Sequence, residues 1–257
     1  MKYTGSLVKS EREKIFELFR DCDRLKFNEI EKSLKIRSNM VSYHIEQMQK
    51  EGLLEKRAEY YHLTPYAEKY IPIFSHITGK ELSPLPVVLV AIMDGNKILL
   101  LYRNIRPYKG YWSLIGGKML LEEDMEESSL RLVKEKTGLD CKFVSMNSII
   151  HERVTSKSVV KHGFLLFFTK VSVPKSFSKG RTIKESSHGE LKWFNVKDIL
   201  KNNIQKNNII PSDLWLMKNK LDSKAEIKNV IMDETEGKIT TFSITKSRIQ
   251  KPKIRQK

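Results

Sequence analysis

Long apolar runs are missing from this sequence: nowhere do its hydrophobic residues approach the roughly 20 consecutive positions that a membrane-spanning helix needs. No membrane partner is therefore expected. The opening stretch MKYTGSLVKSEREKIF also lacks the continuous apolar segment and cleavage signal of a secretory peptide, so a cytoplasmic location is the expectation. Cysteine is scarce. Cys22 and Cys141 are the only two, far apart and without companion ligands, which argues against a disulfide framework or a zinc site. His151, His162 and His188 occur singly, without metal-ligand spacing. Acids are missing altogether from the final stretch KSRIQKPKIRQK.

That last absence is part of an uneven charge distribution. Of the net +16, residues 1–80 carry +3, residues 81–170 carry +3 and residues 171–257 carry +10. A basic end of this kind suits a polyanion such as nucleic acid, and equally a solvated tail that aids solubility. At 257 residues the chain exceeds the usual single-domain size, so two domains with separate cores are expected.

What is present in the first eighty residues is helical spacing. Ile15, Leu18 and Phe19 recur in SEREKIFELFRDC, Phe27, Ile30 and Leu34 in KFNEIEKSLKI, and Val41, Ile45 and Met48 in SNMVSYHIEQMQKEGLL. The second and third segments meet at the tight KIRS turn, with Ser38 as the expected N-cap and Gly52 as the expected stop. This is a helix-turn-helix arrangement. The following LLEKRAEYYHLTP reads as two short strands around a charged turn. Residues 8–74 taken together resemble a winged-helix DNA-binding domain. The resemblance implies double-stranded DNA as partner. With Val41, Ile45 and Met48 turned inward, Arg37, Ser38, Asn39, Ser42, Tyr43 and Gln47 face outward toward bases and phosphates, and Arg57 in the wing reaches a flanking phosphate. Winged helices also serve as protein–protein modules, and +3 is a weak footprint for DNA. YAEKYIPIFSHI reads as a further helix through which a homodimer could pair.

Gly79, Ser83, Pro84 and Pro86 mark a linker. Beyond it, VVLVAIMDGNKILLLYR reads as a hairpin turning at Asp94-Gly95-Asn96, KFVSMNSII and GFLLFFTKVSV as further strands, and residues 124–137, VKDILKN and PSDLWLMKNKL as helices. The mixture implies an α/β sandwich. SKAEIKNVIMDETEGKITTFSITKS reads as an added hairpin. The expected organisation is a winged helix-turn-helix at 1–78, a linker at 79–86, an α/β domain at 87–220, and a hairpin-like extension with a basic tail at 221–257, a two-domain α+β chain.

Within the second domain, IGGKMLLEEDMEESSLRLVKEKTGLD places Gly117, Glu123, Arg131, Val133, Glu135, Gly138 and Leu139 at the spacing of the Nudix box. YWSLIGG before it and GELKWFNVKDI after it resemble the flanking elements of that family, so that the likeness extends over residues 86–220. It implies an α/β/α sandwich with a mixed sheet and the cleavage of nucleoside diphosphates linked to another moiety, with Mg²⁺ or Mn²⁺ as cofactor. Positions 132, 135 and 136 share one helix face, where three carboxylates could hold such a cation. This chain offers Leu132, Glu135 and Lys136. Two carboxylates are gone and one positive charge has been added, a swing of about three units where a divalent cation should sit, so ordinary metal binding is expected to fail or weaken severely.

Glu135 is thus the catalytic and metal-binding candidate if hydrolysis survives, with Glu190 a weaker one that could join Glu127 and Glu135 in a displaced site. Glu126 and Glu127 read more simply as a solvated, dipole-favoured helix start. Glu123 and Arg131 are expected to form a structural salt bridge, with Gly117 and Gly138 framing the motif. Lys136, with Arg103, Arg106 and Lys109, is the candidate set for a phosphate-bearing ligand, Lys136 binding phosphate where the metal would lie, or else reaching away to solvent. Trp112 reads as structural, packed against the glycine turn. The resulting expectation is a DNA-binding transcriptional regulator whose second domain senses a nucleotide-type metabolite with weak or no hydrolysis. Its rival is an active Mg²⁺- or Mn²⁺-dependent hydrolase with an accessory winged helix, and a DNA-bound scaffold without a small ligand is a third class.

Overall fold

The apolar residues of the first segment divide between helix stripes and short alternating strands, and the structure, a computed structural model, shows what each covers. It describes residues 10–20, 22–74, 82–174, 189–201, 208–235 and 238–245. The chain divides into two units, Met1–Ser83 and Pro84–Lys257.

In the first unit, α1 (Ser10–Leu18), α2 (Phe27–Leu34) and α3 (Ser38–Lys50) surround one core. Ile15, Phe16, Phe19, Ile30, Leu34, Val41, Ile45 and Met48 are buried together in it. Leu18 is only half-buried, and Phe16, its ring stacked on Phe74, takes the inner position instead. α3 stops as its glycine dictates. Gly52 takes φ +70 and donates to the Gln49 carbonyl, while Leu53 donates back to Met48, closing the orphan carbonyls of the last turn. The start of α3 differs from expectation. Ser38 is its first residue, Arg37 is the extended N-cap, and the Ser38 hydroxyl donates to the Glu31 carboxylate rather than accepting from a backbone N–H. A charged acceptor on α2 outcompetes the capping role.

β1 (Leu25–Lys26), β2 (Leu54–Arg57) and β3 (Tyr60–Leu63) form an antiparallel sheet of order β1-β3-β2, with Leu54 opposite Leu63 and Arg57 opposite Tyr60. The segment after β3 is not one helix. Thr64 caps the short α4 (Pro65–Glu68) by accepting from the Ala67 N–H, and the chain then passes into a 3₁₀ turn at Ile71–Ile73 that carries Pro72. Residues 75–77 of the expected helix lie outside the described residues.

The second unit is built on one mixed sheet of order β10-β5-β4-β9-β8. Its strands are β4 (Leu85–Asp94), β5 (Lys97–Arg103), β8 (Lys142–Ser156), β9 (Val159–Ser172) and β10 (Gly189–Asn195). β4 and β9 run parallel, and the other neighbours are antiparallel. β4 pairs with β5 only at Ile92–Asp94, next to the turn. Farther along the two strands separate, β6 (Trp112–Ser113) pairs with β5, and β7 (Ile115–Gly117) pairs with β4 at Val88–Val90. This split lets the Gly116-Gly117 backbone enter the sheet beside the end of β5.

Each sheet face has its own core. α5 (Met125–Thr137) covers the face that carries Val88, Val90, Ile92, Leu99 and Leu101. α6 (Val196–Lys201) and α7 (Pro211–Lys220) belong with the other, which carries Leu89, Ala91, Ile98, Leu100 and Phe168. Strand alternation explains the division, since successive side chains point to opposite faces. The architecture is an α/β/α sandwich. β11 (Asn229–Thr235) and β12 (Lys238–Thr245) pair antiparallel as a separate two-stranded sheet.

Candidate functional site

The residues around α5 form a framed turn and helix. Asp124 caps the helix, its Oδ1 accepting from the Glu127 N–H at 2.8 Å while Glu127 returns a carboxylate oxygen to the Asp124 N–H at 3.2 Å. At the far end Gly138 adopts φ +72 and donates to Lys134. Between these ends Arg131 acts as a clamp. Its Nε and Nη2 donate to the two oxygens of Glu123, Nη2 also to the Lys118 carbonyl at 2.9 Å, and Nη1 to Glu135 at 3.1 Å. Glu123 further accepts from Ser128 at 2.9 Å and from the Leu120 N–H at 3.2 Å. The guanidinium is the largest cause holding the Glu123 carboxyl below its ordinary pKa, and the same bond raises that of Arg131. The loop before the helix is thereby tied to the helix.

Positions 132, 135 and 136 have three different fates. Leu132 is buried in the core under α5 and lies close against Gly117, where an added Cβ would collide with a Leu132 methyl. Glu135 stays at the surface, paired to Arg131. Lys136 is half-buried and donates through Nζ to the Gly116 carbonyl on β7, so it crosses from helix to sheet rather than reaching to solvent. Burial lowers its pKa, and the nearby Arg103 charge adds to that lowering. Arg103, at the end of β5, is half-buried on the same sheet face as Leu99 and Leu101, its Nε donating to the Pro107 carbonyl at 2.9 Å. The structure thus brings Lys136 and Arg103 together.

Arg106 and Lys109 are exposed in the loop after β5, which is bonded to Arg103 through the Pro107 carbonyl and the Gly110 N–H. Glu190 is exposed on β10 opposite Tyr102, whose ring packs at a tilt against Trp112 on the face covered by α6 and α7. It is therefore on the other side of the sheet from Glu135, and with Glu127 occupied in the helix cap, the displaced carboxylate site does not assemble. Trp112 packs between Tyr102 and Phe194, a structural place as expected. His151 and His162 are exposed, and His188 lies outside the described residues.

In the first unit, Arg37, Ser38, Asn39 and Tyr43 are exposed along α3, Ser42 and Gln47 are partly so, and Arg57 is exposed on β2 with its guanidinium on Glu55.

Sequence reasoning missed the buried carboxylate beside this site. Asp213 on α7 is 3% exposed and accepts from the Leu114 N–H at 2.7 Å. Burial pushes its pKa up to about 7, with the Glu152 charge adding to the rise against the Leu114 hydrogen bond and Arg103. Glu152 in turn accepts from the Tyr108 hydroxyl at 2.6 Å, and burial followed by that bond raises the Tyr108 pKa. A proline followed by Ser and Asp at a helix start gives no hint of burial, since the same letters mark any exposed helix start.

The family model for the NUDIX domain matches residues 83–212, just over half of the chain. The chain belongs to the Nudix family. Among its relatives, the uncharacterized Nudix hydrolase YvcI of Bacillus subtilis is 28% identical over 108 residues, 42% of this chain and 64% of that protein. The ADP-ribose pyrophosphatase of Methanocaldococcus jannaschii is 42% identical over 65 residues, 25% of this chain and 38% of the relative. The chain therefore spans less than two thirds of the length of these curated relatives. Among solved structures, a MutT protein from Bacillus halodurans aligns with 22% identity and a TM-score of 0.44, covering 63% of this chain and 99% of that one.

Nudix hydrolases usually use Mg²⁺ or Mn²⁺. The side chains of this α5 face do not fit such an ion. Leu132 has no donor atom, Lys136 brings positive charge and engages the Gly116 carbonyl, and Glu135 is paired with Arg131. Among the described residues no group of three or more His, Cys, Asp or Glu is placed to hold a metal ion.

Proposed function

We propose that the Nudix domain binds a nucleoside-diphosphate-linked compound and turns it over slowly or not at all, and that the first unit is a winged helix that binds double-stranded DNA, the two together making a ligand-sensing transcriptional regulator. The observation that carries this reading is the replacement of two carboxylate positions on α5 by the buried Leu132 and the inward-reaching Lys136. Hydrolysis at phosphorus needs a cation or equivalent to gather charge and activate water, and this face is built against a divalent one. For the first unit, support comes from the polar outer face of α3, which presents Arg37, Asn39 and Tyr43 to solvent, and from the β2-β3 hairpin beside it.

The comparisons weigh more toward a second reading, a Nudix hydrolase with an accessory first unit, since the matched relatives carry hydrolase and pyrophosphatase names. Nothing in them supports the DNA-bound regulator. One experiment separates the readings. Full-length protein is incubated with ADP-ribose and Mg²⁺ or Mn²⁺, and nucleotide release is followed by chromatography. The sensor reading expects turnover far below ~1 s⁻¹ and little further change in Glu135→Gln. Release at or above that rate, lost in Glu135→Gln, would establish the hydrolase.

A further inference from the structure

We infer that Lys136 and Arg103 form a built-in, metal-independent site for the diphosphate of the ligand, a pair of fixed cations doing what a bound divalent ion would otherwise do. The inference rests on the nucleoside-diphosphate reading above and adds to it the mode of recognition.

The geometry is specific. Lys136 lies on α5 and its ammonium is held on the Gly116 carbonyl of β7, beside the place where β4 and β5 separate. An ammonium has three donors. Gly116 takes one, and among the described residues no other group accepts from the remaining two. Arg103 arrives at the same face from the end of β5 with Nε bound to Pro107, which leaves its two terminal nitrogens for a planar oxygen pair.

The charges point the same way. Two half-buried cations near one another repel, and their burial leaves less water to screen that repulsion. Glu123 and Glu135 are both bonded to Arg131, so neither hydrogen-bonds to the pair, while the charges of Glu135 and of the buried Asp213 offset part of the positive charge of Lys136 and Arg103 respectively. A partly desolvated pair of cations favours an anion, and a diphosphate supplies several oxygens for both donors at once. Leu132 closes the alternative: its buried side chain packs against Gly117 and offers no oxygen to a metal ion.

The test is calorimetric titration of the full chain with ADP and with inorganic pyrophosphate, in EDTA and again in Mg²⁺ or Mn²⁺. Binding in EDTA is expected to match binding with metal. Lys136→Gln and Arg103→Gln should each weaken it about 10- to 100-fold, the range for losing a charge-assisted hydrogen bond, with Lys142→Gln on the exposed start of β8 unchanged. Because Leu132→Glu risks the fold, Lys136→Glu alone serves as the reversal. It should abolish binding in EDTA and raise Mn²⁺ affinity, read from the electron paramagnetic resonance of the free ion. Binding that needs metal and vanishes in EDTA, or that ignores Lys136→Gln, overturns the inference while leaving the ligand class standing. Failure of both ADP and pyrophosphate to bind under any condition overturns the ligand class itself.

Discussion

Asp213 shows how one residue can tie stability to pH. Its carboxyl is buried on α7 and its pKa stands at about 7, above the ordinary 3.8. The folded state therefore holds a proton that the unfolded chain has already released between those two values. Its contribution to stability is complete below about pH 4 and is lost as pH rises through about 7, at up to ~1.4 kcal/mol per pH unit where the two states differ by one proton. Asp213→Asn cannot ionise, yet keeps an acceptor for the Leu114 N–H. Thermal melting followed from pH 5 to pH 8 should show the native protein losing stability across that interval and the variant losing much less. Equal slopes would assign the loss to another group. Glu123 works in the opposite sense, since its pKa is depressed by Arg131, and its contribution fades only as the solution is acidified below the ordinary carboxylate range.

At the scale of elements, α5 depends on its first turn. Asp124 and Glu127 satisfy each other's backbone N–H groups, and Asp124 Oδ2 also accepts from Asn229 at 3.3 Å. Asp124→Ala should lower stability by about 1 kcal/mol, within the 0.5–2 range for such caps, and Asp124→Asn by less because it keeps an acceptor. Urea unfolding of the two variants checks the order. The cap also marks what could be read in advance. The spacing from Gly117 to Gly138 announced this helix and its clamp because each motif residue acts within about one turn or one short loop, where sequence distance and spatial distance coincide. The hairpin at Asp94-Gly95 was legible for the same reason. What stayed hidden depended on pairing. The β8-β9 hairpin turns at Lys157 and Ser158, both at positive φ without a glycine to signal it. Which sheet face receives Glu190 follows from its register with Tyr102, and the burial of Asp213 from its contact with Leu114, 99 positions away.

Across the whole molecule the question is whether the two units speak to each other. The chain carries +16, of which +10 falls after residue 170, so some salt-dependent attraction to any duplex is expected without specific recognition. On the proposed regulator reading, specific binding comes from α3 and its neighbours. Arg37→Ala should weaken binding to a preferred promoter fragment more than to an unrelated duplex, whereas shortening the basic end should weaken both alike. Sensing demands more than coexistence. A ligand shifts DNA affinity only if it favours one DNA-competent arrangement over another, and linkage then requires DNA to shift ligand affinity by the same factor. Fluorescence anisotropy of a labelled promoter duplex, with and without saturating ADP, should show a change of about 5- to 150-fold, the usual span of allosteric coupling. Calorimetric titration of ADP into the protein–DNA complex must return an equal factor. Should ADP bind while DNA affinity stays fixed, the regulator reading fails at the step that defines it, and the Nudix domain stands as a nucleotide-handling unit without control over the first.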